Sequence, residues 1–167
     1  MKILLIRPKT KENFFSAPPT GLCYIKSTLV NSGYHQTKVI DIDRYSEGYI
    51  IKTVSEFQPD IVGISCLTEL RMYALKLAKI IKLNFAHIIM VFGGIHPTHL
   101  YQQMLLSYAF IDYIFIGEGE ITFVEFVQAL EGEVIFENVA GIAYRKNKHI
   151  HKNVARLPIR NLDELPF

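Results

Sequence analysis

The sequence is poor in the features that would place it in several common classes. Its 167 residues hold only two cysteines, Cys23 and Cys66. They make neither a metal-ligand pair nor a disulfide framework, so a reducing, cytoplasmic setting is expected. Net charge is only +2 with histidine neutral, too little to argue for a nucleic-acid or membrane-surface partner. The lysines are dispersed except for Lys76, Lys79 and Lys82, which fall on one side of a predicted helix and read as a solvated face. No apolar stretch approaches the ~20 residues needed to span a bilayer. The run after Met1, Lys-Ile-Leu-Leu-Ile, is too short for a signal peptide and leads into Arg7-Pro8.

What is present is a regular alternation. Half of the residues are hydrophobic, enough for one domain with a substantial core. Five short runs rich in Ile and Val recur, at residues 2–7 (KILLIR), 37–42 (TKVIDI), 60–65 (DIVGIS), 87–92 (HIIMVF) and 112–116 (DYIFI). They are nearly continuous rather than alternating, which suits strands covered on both faces of a parallel sheet. Between them the period becomes helical. Leu22, Ile25 and Leu29 form one stripe, closed by Ser32-Gly33 as a stop signal. Ile50, Thr53, Val54 and Phe57 form another, and Phe123, Phe126, Val127 and Leu130 repeat it. A helix is predicted over 69–83 with Met72, Leu75 and Ala78 on one side, and a shorter one near Pro97.

Strands alternating with helices predict a doubly wound, flavodoxin-like α/β domain with a five-stranded parallel sheet, order 2-1-3-4-5. After Gly132 the pattern changes. Residues 139–145 and 149–152 flank Lys146-Asn147-Lys148 and predict a C-terminal β-hairpin. Residues 154–167 have no period, contain Pro158 and Pro166, and read as a linker.

In such a sheet the ligand crevice lies outside the carboxyl ends of the strands. The loop from Pro8 to Thr20 is long enough to wall or cover a ligand, its end stiffened by Ala17-Pro18-Pro19. The third strand ends in Ser65-Cys66-Leu67-Thr68, where hydroxyls can bond a ligand and Thr68 can cap the next helix. The fourth ends in Gly93-Gly94-Ile95-His96, where paired glycines admit close approach to the backbone. The fifth ends in Gly117-Glu118-Gly119-Glu120, with glutamates that also suit the positive end of a helix.

Several chemistries lack their signatures. Arg7-Pro8-Lys9-Thr10 stands where a dinucleotide fold needs G-x-G-x-x-G, and there is no P-loop. The acidic positions of a phosphoacceptor domain are missing. His96 and His99 are three apart, but nothing completes a metal set. Neither cysteine has a visible base, so buried structural thiols are expected.

Taken together, Pro18-Pro19-Thr20-Gly21-Leu22, the run from Pro59 to Ser65, Gly93-Gly94-Ile95-His96-Pro97-Thr98, Gly117-Glu118-Gly119-Glu120, Gly141-Ile142-Ala143-Tyr144-Arg145 and the run from Asn161 to Phe167 come in a familiar order. The set resembles the N-terminal cobalamin-binding domain of cobalamin-dependent radical S-adenosylmethionine enzymes, the group that includes anaerobic magnesium-protoporphyrin monomethyl ester cyclase. The resemblance covers essentially the whole chain.

It implies a vitamin B12 cofactor whose nucleotide tail lies beside the sheet and whose corrin lies over the strand ends. Ser65-Cys66-Leu67 matches the Ser-x-Leu of such domains and Gly93-Gly94 matches their glycine pair. The implied cofactor-binding residues are Thr20, Gly21, Ser65, Leu67, Thr68, Gly93, Gly94, His96, Gly117, Glu118, Gly119 and Glu120. Nothing after the first strand matches D-x-H-x-x-G, whose histidine ligates cobalt in mutases, so His96 is not assigned to the metal.

The family's C-x-x-x-C-x-x-C motif, which holds a [4Fe–4S] cluster, is absent. Residues 1–153 are therefore expected to be the cobalamin domain and 154–167 a linker toward a radical S-adenosylmethionine domain that is not in this chain. That domain would hold S-adenosylmethionine, the iron–sulfur cluster and the catalytic residues. Two other readings remain: the same fold acting without cofactor as a substrate-holding or protein-interaction domain, and a flavin or small-nucleotide binder.

Overall fold

The computed structural model describes residues 1–9, 18–43 and 47–166. Most of the long loop after the first strand, including Ala17, lies outside the described residues, as does Phe167. Among the described residues the chain runs β1 (Ile3–Lys9), α1 (Thr20–Asn31), β2 (Thr37–Asp43), α2 (Glu47–Phe57), β3 (Ile61–Ser65), α3 (Arg71–Asn84) and β4 (Ile89–Gly93). It continues through α4 (Ile95–Ser107), β5 (Tyr113–Phe115), α5 (Glu120–Leu130), β6 (Ile142–Lys146) and β7 (His149–Lys152).

The first five strands are parallel in the expected order 2-1-3-4-5. The sheet itself has seven strands rather than five. The hairpin does not stand apart: β6 pairs antiparallel with β5 through Tyr113–Tyr144, Ile114–Ala143 and Phe115–Ile142. This covers an edge that a three-residue β5 would otherwise leave open. Asn147 and Lys148 both have positive φ, 53° and 67°, the backbone of a two-residue hairpin turn whose twist matches its strands.

The near-continuous apolar runs have a direct cause. Successive side chains of a strand face opposite sides, and both sides of this sheet are covered. Leu4, Ile6, Val62, Ile64, Met90 and Phe92 enter one core with residues of α2, α3 and α4. Ile3, Leu5, Ile61, Val91 and Phe115 enter the other, with Leu29 of α1 and Phe123, Phe126 and Val127 of α5. Each fully buried side chain of this size contributes roughly 1.5–3 kcal/mol relative to exposure.

Three local expectations are corrected. The helix predicted from residue 69 starts at Arg71, and its N-cap position is Leu70 with no side-chain cap bond. Its buried residues are Ala74, Leu75, Leu77, Ala78 and Ile81, while Met72 is exposed. Lys82 is not a solvated lysine like Lys76 and Lys79. Its Nζ lies 2.7 Å from Asp112 Oδ2, and the same oxygen accepts the Met90 N–H at 2.7 Å. That bond ties the start of β5 to β4.

The segment after β7 holds only one short 3-10 turn, Leu162–Glu164, and is mostly exposed, yet it is fastened to α5. Arg156 donates to Thr122 Oγ1 at 2.6 Å and pairs with Glu125 on α5.

Candidate functional site

A cavity of about 360 Å³ opens at the carboxyl ends of β1, β3, β4 and β5, under α1 and α5. This is the side of β1 away from β2, where the strand order reverses and where ligands of such sheets bind.

Strand register explains why there is a space. Leu5, Gly63 and Val91 stand in one row across β1, β3 and β4, and Ser65 and Gly93 stand in register one step further along. All face the core shared with α1 and α5. Ser65 and Gly93 carry little or no side chain, so the sheet is hollowed at that step, while the space over Gly63 is taken by its neighbours. At Gly63 a Cβ would lie 2.9 Å from Leu5 Cδ2 and 3.2 Å from Phe123 Cε2. The missing side chain is what lets Phe123 settle on the sheet. At Gly93 a Cβ would meet only Phe115 Cβ, 4.0 Å away. The side walls are apolar, with Leu22 and Ile25 from α1 and Phe115 and Phe123 from β5 and α5. The rim is polar: Arg7, Thr20, Glu118 and Glu120.

The loops at this edge hold one another. Gly94 has φ +102°, and a Cβ there would lie 3.0 Å from the Cys66 carbonyl oxygen. Only glycine accepts that backbone without strain. The Cys66 N–H donates to the Gly93 carbonyl at 2.8 Å and the His96 N–H to the Cys66 carbonyl at 3.3 Å. The Gly117 N–H donates to Thr98 Oγ1 at 3.1 Å, fastening the β5 loop to α4.

Charges at the rim are largely engaged. Arg7 makes a two-point pair with Asp41, both contacts at 2.7 Å. Glu118 Oε2 accepts the Ile159 N–H at 2.7 Å. Glu120 differs: its Oε2 is the one buried side-chain nitrogen or oxygen among the described residues without a hydrogen-bond partner.

Of the twelve residues expected at the site, nine line this cavity: Thr20, Gly21, Ser65, Gly93, Gly94 and the run from Gly117 to Glu120. Leu67, Thr68 and His96 do not. Leu67 is exposed at the same edge. Thr68 caps no helix; its Oγ1 lies 3.2 Å from His96 Nδ1, and its carbonyl accepts from the Arg71 side chain at 2.9 Å. His96 is buried. Burial, and secondarily the Arg71 charge, lower its pKa below the usual 6.5, favouring the neutral ring. Cys66 is buried and its thiol is pushed up to about 12 by desolvation, which removes it as a nucleophile at neutral pH. Cys23, expected to be buried, is exposed.

Sequence reasoning missed Leu5, Arg7, Gly63, Val91, Phe115 and Phe123 as wall residues. Gly63 carried a signal: a glycine inside an otherwise apolar strand marks a close approach. Arg7 carried none, and Leu5, Val91, Phe115 and Phe123 looked like ordinary core positions.

Residues 14–127 match the sequence family described as B12 binding domain. An uncharacterized methyltransferase of Pyrococcus horikoshii is 34% identical, aligned over 100% of this chain and 38% of its own length. Anaerobic magnesium-protoporphyrin IX monomethyl ester cyclase of Cereibacter sphaeroides is 30% identical over 99% of this chain and 28% of its own length. The chain thus spans well under half of these curated relatives. Among solved structures, the cobalamin-dependent S-adenosylmethionine radical enzyme OxsB, with aqua-cobalamin and S-adenosylmethionine bound, superposes with a TM-score of 0.77 at 23% identity, over 95% of this chain and 23% of that one. The radical S-adenosylmethionine methyltransferase TsrM from Kitasatospora setae gives 0.79 at 16% identity, over 92% and 30%.

Proposed function

The chain belongs to the B12-binding domain family, and on that premise we propose that it holds cobalamin, with the nucleotide tail in the cavity between α1 and α5 and the corrin over the strand ends. The observation that carries this reading is the hollow left where Ser65 and Gly93 stand in register in one face of the sheet.

The residues present fit that group. A slot of about 360 Å³ walled by Leu5, Val91, Phe115 and Phe123 suits a flat apolar base and its sugar, within the ~300–1,000 Å³ of small-molecule sites. It does not hold a corrin, which leaves the macrocycle at the exposed edge beside Leu67. The Ser65 hydroxyl and the Gly117–Glu120 backbone supply the polar contacts at the mouth. The apolar walls exclude water, and Gly94 locks the β3 and β4 loops so that the slot is formed in advance. When bound, cobalamin supplies methyl-carrying and radical chemistry at its cobalt; the chain binds, orients and shields.

The rest of the reading concerns a longer protein. Residues 1–153 form the cobalamin unit and residues 154–167 lead toward a radical S-adenosylmethionine domain holding the [4Fe–4S] cluster. Methyl transfer or a cyclase-like reaction takes place there, not on this chain's own residues. No helix among the described residues is long and apolar enough to cross a membrane. Two free thiols suit a cytoplasmic location, and the near-neutral charge gives no reason to propose a nucleic-acid partner.

The test is incubation of the chain with hydroxocobalamin followed by desalting. Corrin absorbance should travel with the protein at close to one equivalent. Its absence from protein that is folded by circular dichroism overturns the reading.

A further inference from the structure

The orphaned oxygen of Glu120 says what kind of group enters the cavity. Glu120 is the first residue of α5 and lines the slot beside Phe123. The positive end of a helix accounts for a glutamate at this position. It does not account for a carboxylate oxygen withdrawn from solvent and left unpaired, since buried polar atoms are almost always satisfied. The neighbouring Glu118 shows the ordinary solution, with its oxygen taking the Ile159 N–H.

A carboxylate only accepts hydrogen bonds. It disfavours an anion set directly against it, so the phosphodiester of a nucleotide tail must lie away from this oxygen; the Arg7 guanidinium at the same rim is engaged by Asp41. The complement of Glu120 is a hydrogen-bond donor, which in cobalamin means a neutral O–H or N–H, and the apolar walls around it strengthen such a bond.

Building on the cobalamin reading above, we propose that Glu120 is a ligand-recognition residue whose Oε2 accepts a hydrogen bond from a neutral O–H or N–H group of the bound cofactor. Two parts of cobalamin offer such donors, the sugar hydroxyl of the nucleotide tail and the amides around the corrin.

The experiment is an absorbance titration of the wild type, Glu120→Ala and Glu120→Gln with hydroxocobalamin and with cobinamide, which lacks the nucleotide tail. Glu120→Ala should weaken cobalamin binding by about tenfold or more, and Glu120→Gln, which keeps an acceptor oxygen, should recover part of the loss. A loss confined to cobalamin assigns the donor to the tail; an equal loss with cobinamide assigns it to a corrin amide. Without ligand, Glu120→Ala should melt no lower than the wild type, because it removes an unsatisfied atom. Wild-type affinity in Glu120→Ala, or a lower melting temperature with unchanged affinity in the protein that remains folded, overturns the inference and leaves the cobalamin reading standing. Failure of the wild type to bind overturns both.

Discussion

Gly93→Leu should separate binding from folding. Gly93 is not among the residues with positive φ, so its backbone accepts an ordinary side chain. A Cβ there meets nothing closer than Phe115 Cβ at 4.0 Å, so no core atom has to move. The position faces the cavity in register with Ser65. A leucine adds four heavy atoms, each filling about the ~30 Å³ of a water molecule, or ~120 Å³ in all. That is about a third of the 360 Å³ space. A ligand that fills the slot must then yield at the cost of overpacking, about 1–3 kcal/mol, which is a ~5- to 150-fold loss of affinity. Stability should change by no more than about 0.5 kcal/mol, a melting shift of ~1–2 °C. The assay pairs a hydroxocobalamin titration with thermal unfolding. Gly93→Leu that is folded and binds with wild-type affinity refutes the placement of the tail in this slot.

Its neighbour behaves oppositely. Gly94→Ala puts a Cβ 3.0 Å from the Cys66 carbonyl at φ +102°, a strain of about 1–3 kcal/mol, so the melting temperature should fall by ~2–12 °C before any ligand is added. His96 gives an acid dependence. Its folded pKa is lowered by burial and by Arg71, so the neutral ring's stabilisation is present above the ordinary value near 6.5 and is lost as pH falls below it. Thermal melts from pH 7.5 to 5 should show a steeper loss in the wild type than in His96→Gln. Arg145 donates to the carbonyls of Leu105, Tyr108, Ala109 and Ile111 at the end of α4. Arg145→Met should cost about 1.5–3 kcal/mol or more, read as a lower denaturation midpoint with an unchanged slope.

Much of the architecture was legible because the central strands β1, β3 and β4 had to satisfy two cores at once, and that leaves a run of apolar residues no surface helix would carry. The parallel order followed from the alternation of elements. The pairing of the hairpin with β5 was not legible, since it depends on which sheet edge is left open and not on the hairpin's own residues. Thr68 looked like a helix cap because Thr-Glu is a common start signal. The structure gives its hydroxyl to His96 instead, a partner brought near only when β3 and β4 align. The two glycine-rich turns were found as local patterns. The walls between them were not, because Leu5, Val91, Phe115 and Phe123 differ from ordinary core residues only in facing a gap.

The gap divides its work between adjacent residues. Gly94 is glycine for the backbone, since its φ and the Cys66 carbonyl exclude a side chain. Gly93 is glycine for the cavity, since its backbone is ordinary and only the empty space opposes a side chain. Gly63 is glycine for packing, since Leu5 and Phe123 already occupy the place a methyl group would take. A pattern read as one motif, the glycine pair, is thus two constraints with different failures, one of stability and one of binding. The walls follow the same division. Phe123 holds α5 against the sheet with one edge and bounds the slot with another, so truncating it confounds folding with affinity. The residues that report on binding alone are those whose side chains the core does not use, and among the lining residues these include Gly93, Ser65 and Glu120.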